Sequence, residues 1–109
     1  MFRIDTSNPK GFHVKFANGN TLSVQWGSDN YCSRKWHGAE LRETINNGGV
    51  WSSEDCEILA VDKHGHPHYF DGIATPGQIT PDVLAQIMMW VSTNELETRT
   101  YNGWSWENV

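Results

Sequence analysis

The stretch His64-Gly65-His66-Pro67-His68 places an imidazole at every second position. In an extended strand those side chains would point one way and offer two or three nitrogens to a metal. Gly65 and Pro67 break the regularity, and His64 and His66 fall in a turn. The stretch therefore reads as an exposed polar turn followed by a half-buried His68, and neither a metal nor another cofactor is expected. Cys32 stands close to Arg34, Lys35 and His37, cations that favour a thiolate. No third group of a nucleophilic triad can be identified, so no catalytic residue is expected. Cys32 and Cys56 lack the close Cys or Cys/His pairs of a zinc site, and without an export signal they read as reduced cytoplasmic thiols.

The loop Gly27 to His37 offers a different chemistry. It combines small polar donors with two cations and two aromatics. Backbone amides, Asn30 and Ser33 could hold the oxygens of an anion. Arg34 could grip it in bidentate fashion beside Lys35, and Tyr31 or Trp36 could stack on a base. No glycine-rich phosphate motif is present, and the plain alternative is a solvated loop whose Tyr31 packs on the neighbouring hairpin. A second aromatic surface is suggested at the end of the chain. If Asn102-Gly103 is a two-residue hairpin turn, Arg99, Tyr101, Trp104 and Trp106 share one face. That face must rest on the protein's own body, on another subunit or on a ligand.

The elements that position these groups follow from hydrophobic spacing. Phe12, Val14 and Phe16 alternate with polar residues, as do Leu22, Val24 and Trp26. A three-residue loop Asn18-Gly19-Asn20 pairs Phe16 with Leu22, Val14 with Val24 and Phe12 with Trp26. A two-residue turn would mix the faces. Asn20 is expected in the left-handed position of that loop. A second hairpin runs from Cys56 to Phe70 around His64-Gly65, with His68 opposite Val61 and Phe70 opposite Leu59. Apolar groups on both faces suit a central strand. Pro76-Gly77 suits a type II turn. A helix is predicted over Pro81–Thr93, capped by Thr80, with a core stripe of Val83, Leu84, Ile87, Met88, Trp90 and Val91. A short helix is possible over Ala39–Ile45. The fold class is α+β: a small antiparallel sheet built from hairpins with one amphipathic helix on one face.

The 109 residues suit a single domain, with 95–109 as a possible arm. No apolar run approaches the roughly 20 residues of a membrane helix, and no membrane partner is expected. A net charge of −5 from 8 basic and 13 acidic residues disfavours duplex nucleic acid. The tightest acidic group, Glu54, Asp55 and Glu57, reads as a solvated strand edge.

The stretch Gly11-Phe12, Phe16-Ala17-Asn18-Gly19, Ser23-Val24-Gln25-Trp26-Gly27 and Asn30-Tyr31-Cys32 resembles a set of small tailed-phage proteins, and the likeness extends over most of residues 11 to 92. It includes Cys56-Glu57, Phe70-Asp71 and the helix ending near Trp90-Val91. The His-rich turn and the Trp-containing tail depart from the pattern. The resemblance implies a phage origin and carries no chemistry. By analogy with phage proteins of this size, it suggests an antagonist of host defence in the host cytoplasm, one that sequesters a nucleotide-like small molecule or occludes a host protein. The surplus of aromatics and cations outside the core points the same way, to a non-enzymatic binding protein. The rival readings are a structural or assembly protein of the phage particle, whose tail would be an arm exchanged in a homo-oligomer, and, less favoured, a metal-dependent hydrolase.

Overall fold

The structure is a computed structural model and describes residues 1–3 and 11–96. Four antiparallel strands form one sheet in the order β1 (Phe2–Arg3), β2 (Gly11–Lys15), β3 (Thr21–Gln25) and β4 (Glu57–Val61). Helix α1 (Gly38–Asn46) lies between β3 and β4 in sequence, and α2 (Pro81–Thr93) follows β4. This is the expected α+β class, with α1 as a second, short helix.

Alternation builds the core. Val14, Leu22 and Ala60 lie side by side across three strands, and Phe12, Val24 and Ile58 form the next row. Leu22, Val24, Ile58 and Ala60 are all but sealed from water, and Ile87 and Val91 of α2 close over them in the same cluster. Each Leu, Val or Ile among them contributes about 1.5–3 kcal/mol by leaving water, so these rows fix which face the helix covers.

Register departs from expectation in both hairpins. In the first, Phe12 faces Val24 and Val14 faces Leu22, two steps from the predicted pairing, so each side chain keeps its predicted face. The three loop residues are Ala17-Asn18-Gly19, closed by Phe16 N–H on Asn20 O at 2.9 Å and Gly19 N–H on Phe16 O at 3.0 Å. Gly19, not Asn20, takes the left-handed position, at φ 91°. Asn20 is instead buried and donates from Nδ2 to Val91 O at 2.9 Å and to Asn94 O at 2.7 Å. Asn18 Nδ2 reaches the same two carbonyls at 3.0 and 3.2 Å. The last turn of α2 has no basic residue, and these two amides supply the donors its open carbonyls need.

The second hairpin is off by one position, which inverts a face. His68 N–H donates to Ala60 O at 2.8 Å and Asp62 N–H to His66 O at 2.9 Å. Its loop is therefore the three residues Lys63-His64-Gly65, with Gly65 at φ 83°. Asp62 Oδ1 fixes that count by accepting from His64 N–H at 2.8 Å and His66 N–H at 2.9 Å. Those backbone donors hold the Asp62 carboxyl below its ordinary range. As a result Ile58, Ala60, His68 and Phe70 are buried, while Leu59 and Val61 are only half-buried. His68 is thus a core residue, seated 5.0 Å from the Phe70 ring and 5.4 Å from the Trp90 ring.

Two turn details also differ. Thr80 precedes α2 in an extended conformation but makes no side-chain capping bond. At Pro76-Gly77 the positive φ falls on Gln78, at 54°, and not on Gly77. Gly77 is needed for closeness: a Cβ there would collide with the main chain and Cβ of Tyr31.

Asn20→Ala leaves the Val91 and Asn94 carbonyls to Asn18 alone. Urea melts should show a loss of about 1–3 kcal/mol with the slope unchanged.

Candidate functional site

The connection from β3 to α1 folds back on the segment leading into β4, and carboxylates bind the two together. Asn30 first closes a tight turn, accepting from Gly27 N–H at 2.9 Å through Oδ1 and donating to Glu57 Oε1 at 3.3 Å. Tyr31 N–H donates to Glu57 Oε2 at 2.9 Å. Asp55 takes Ser33 twice, from N–H and from Oγ, both at 2.5 Å. Such hydrogen bonds to a charged acceptor are roughly twice as strong as neutral ones.

Arg34 is committed as well. Its Nη1 donates to Ser52 O at 2.8 Å, Nη2 to Glu40 Oε1 at 2.7 Å and Nε to His37 Nδ1 at 3.2 Å. Its guanidinium lies 3.8 Å from the centre of the Trp51 ring, which is itself held by Nε1 on Trp26 O at 3.1 Å. The Arg34–Glu40 pair is open to solvent on the Glu40 side, so its worth lies mainly in orientation.

The loop does hold anions, but they are the chain's own. Asn30, Ser33 and Arg34, expected to grip an external phosphate, spend donors on Glu57, Asp55 and Glu40. Asp55 and Glu57, expected as a solvated strand edge, are the brace that orders the loop. Tyr31 also does not fold onto the hairpin, since its side chain stands outward.

What remains free for contact is the outer rim. Trp36 is 83% exposed and Tyr31 58%. Lys35 Nζ sits 4.1 Å from the Tyr31 ring centre and 4.6 Å from that of Trp36, bridging the two by cation–π attraction. Trp36 has φ 75°, a left-handed conformation costing an L-residue about 1–2 kcal/mol. Its N–H is pinned to Ser28 O at 3.0 Å. Beside Tyr31 runs a groove of about 650 Å³ walled by Ile73, Pro76, Gly77, Ile79 and Val83. Gln78 N–H on Tyr31 O at 2.8 Å fixes the Tyr31 backbone to that wall.

The rest of the expected surface, Arg99, Tyr101, Trp104 and Trp106, lies outside the described residues. In the His-rich turn the His64 and His66 rings are 6.3 Å apart and both backbones serve Asp62. Among the described residues no three His, Cys, Asp or Glu side chains gather as a metal site, and no helix is long and apolar enough to cross a membrane. Sequence reasoning set Trp51 among the aromatics outside the core and Gly77 in a turn, but missed the contacts that Asp55, Glu57, Trp51 and Gly77 make here. Only the clustering of Asp55 with Glu57 offered a signal. Compared with known proteins, the chain matches no family, no curated protein and no solved structure.

Cys32 and Cys56 are both free and buried. Burial, and then the negative charges of Asp55, Cys32 and Glu57, push the Cys56 thiol from 9.0 up to about 12. The folded state thus prefers the protonated thiol. That preference costs nothing below pH 9, and stability is lost between pH 9 and 12, as the unfolded thiol ionises and the folded one does not. Urea melts across this window should steepen in their decline for the native chain and flatten for Cys56→Ala. Asp55→Ala should raise amide exchange at Ser33 at least tenfold while amides in β2 and β3 keep their protection, as read by NMR.

Proposed function

We propose that this chain is a phage-encoded, non-enzymatic binding protein that acts in the host cytoplasm as an antagonist of host defence, docking on a host protein through Tyr31, Lys35 and Trp36. The observation that carries this reading is Trp36 itself. A large apolar ring is held in water, on a backbone conformation that costs free energy, by a loop braced through four carboxylate contacts. Folding alone gains nothing from this arrangement, because burying the ring would release more free energy than exposing it. A partner that covers it recovers that free energy. Trp, Tyr and a cation over their rings are the anchors that dominate protein interfaces, and a pre-ordered loop reduces the entropy cost of docking.

The choice of a protein over a nucleotide rests on the donor inventory. A phosphate needs convergent donors, and Asn30, Ser33 and Arg34 already serve Glu57, Asp55 and Glu40. Lys35 alone is a modest attraction on a chain of net charge −5. The resemblance of the Gly11–Cys32 stretch to small tailed-phage proteins supports the origin.

A photo-crosslinking residue placed at the exposed Ala39, three residues beyond Trp36, and expressed during infection should join one host protein. With that protein purified, Trp36→Ala should weaken binding by about 2 kcal/mol, roughly 30-fold in Kd, with Tm unchanged. A Tm rise and Trp quenching with members of a nucleotide panel would overturn the protein reading in favour of a small ligand. Crosslinks confined to copies of the chain or to other phage proteins would overturn it in favour of an assembly role.

A further inference from the structure

The two cysteines are 24 positions apart in sequence, yet the contacts around them bring their segments into register. Tyr31 N–H meets the Glu57 carboxylate and Ser33 N–H meets the Asp55 carboxylate. Residues 31 and 33 thus run past 57 and 55 in opposite senses, and the residues between them are Cys32 and Cys56. Side-chain direction agrees. Tyr31 and Ser33 are exposed while Cys32 between them is buried at 5%, and Cys56 is buried at 6% between Asp55 and Glu57. Both thiols therefore point inward from facing segments.

A third segment ties the two. Gln78 N–H binds Tyr31 O at 2.8 Å, and the next residue, Ile79, exchanges both backbone bonds with Cys56 at 2.9 Å. Cys32 is also one of the charges that Cys56 feels. Cys32 Sγ donates to Gly27 O at 3.4 Å, which anchors it within the loop.

We infer that Cys32 and Cys56 are a redox pair that closes into an intramolecular disulfide under peroxide, clasping the loop that carries Tyr31 and Trp36 to the start of β4. The Cys32 sulfur attacks one peroxide oxygen, the O–O bond breaks, and the thiol proton leaves with the departing oxygen as water. This gives a sulfenic acid at Cys32. The Cys56 sulfur then attacks the Cys32 sulfur. Its proton and the sulfenic hydroxyl leave as a second water, and the S–S bond forms. The two thiols are oxidised by two electrons and the peroxide is reduced by two. Cys56 is the resolving partner because it is held as a thiol, which makes it the poorer first nucleophile. Closure joins groups that the brace already holds in register and removes freedom chiefly from the unfolded chain.

The test uses the full reduced chain and hydrogen peroxide, with products read without reductant. The expected mass falls by about 2 Da, the thiols titrated in denaturant fall from two to none, and a proteolytic digest contains one peptide pair joined at Cys32 and Cys56. The oxidised chain should melt about 10 °C higher and exchange the amides of residues 28–37 at least tenfold more slowly, with dithiothreitol reversing both. Separate sulfinic acids on the two cysteines, a disulfide only between two chains, or two intact thiols at a peroxide dose that oxidises the urea-unfolded chain would each overturn the inference. These readouts need no partner, so they stand or fall independently of the host-protein reading.

Discussion

The arrangement at the candidate site depends on two carboxylates meeting backbone N–H groups. Asp55, just ahead of β4, and Glu57, the first residue of β4, accept from Tyr31, Ser33 and Asn30. A loop of this composition, with glycine, serine and asparagine in its first half, has many conformations of similar energy and a large ordering cost. Four hydrogen bonds to charged acceptors offset that cost and select one conformation. Everything outward then follows: the Tyr31 ring beside its groove, Lys35 across both rings, and Trp36 turned into water. The same brace explains why Gly77 must lack a side chain, since the Tyr31 backbone held by Glu57 leaves no room there.

The sheet supplies the rigidity that the brace requires. Glu57 is the first residue of β4, paired with Gln25 at the end of β3, so its carboxylate is fixed relative to the point where the loop departs. The far end of the sheet is secured differently, by Asn18 and Asn20 on the last carbonyls of α2. The two turns meet there, Gly19 lying so near Lys63 that a Cβ would crowd it at 2.8 Å. Helix and sheet are thus joined by apolar burial along their length and by polar contacts at the turn end. The loop end is left to present side chains.

Much of this was readable from spacing. Strict alternation in β2 and β3 gave the correct faces even though the register was displaced, because a displacement by two preserves side-chain direction. The stripe from Val83 to Val91 marked α2 at its observed bounds. β4 was another matter. Glu57-Ile58-Leu59-Ala60-Val61 is apolar on both sides and reads as a central strand with Leu59 and Val61 in the core, whereas β4 stands last in the strand order and buries Ile58 and Ala60 instead. The choice is made by Asp62, whose carboxylate gathers the amides of His64 and His66 and sets a three-residue loop. Asn20 illustrates the same limit, its partners lying more than 70 residues away in the chain.

The site shows the limit in its sharpest form. Reading Asn30, Ser33 and Arg34 as donors to an anion was sound chemistry, and the structure puts anions on them. Local sequence cannot say that those anions arrive from Glu57, Asp55 and Glu40 of the same chain. Once they do, the consequence for recognition reverses. A loop with its donors unspent would favour a phosphate; with its donors spent it offers rings and a single bridging ammonium. Flat, apolar and pre-ordered, that surface suits shape complementarity and desolvation more than charge capture. An acidic chain repels polyanions in any case, so electrostatics and donor count argue in the same direction, against an external anion paired with Arg34.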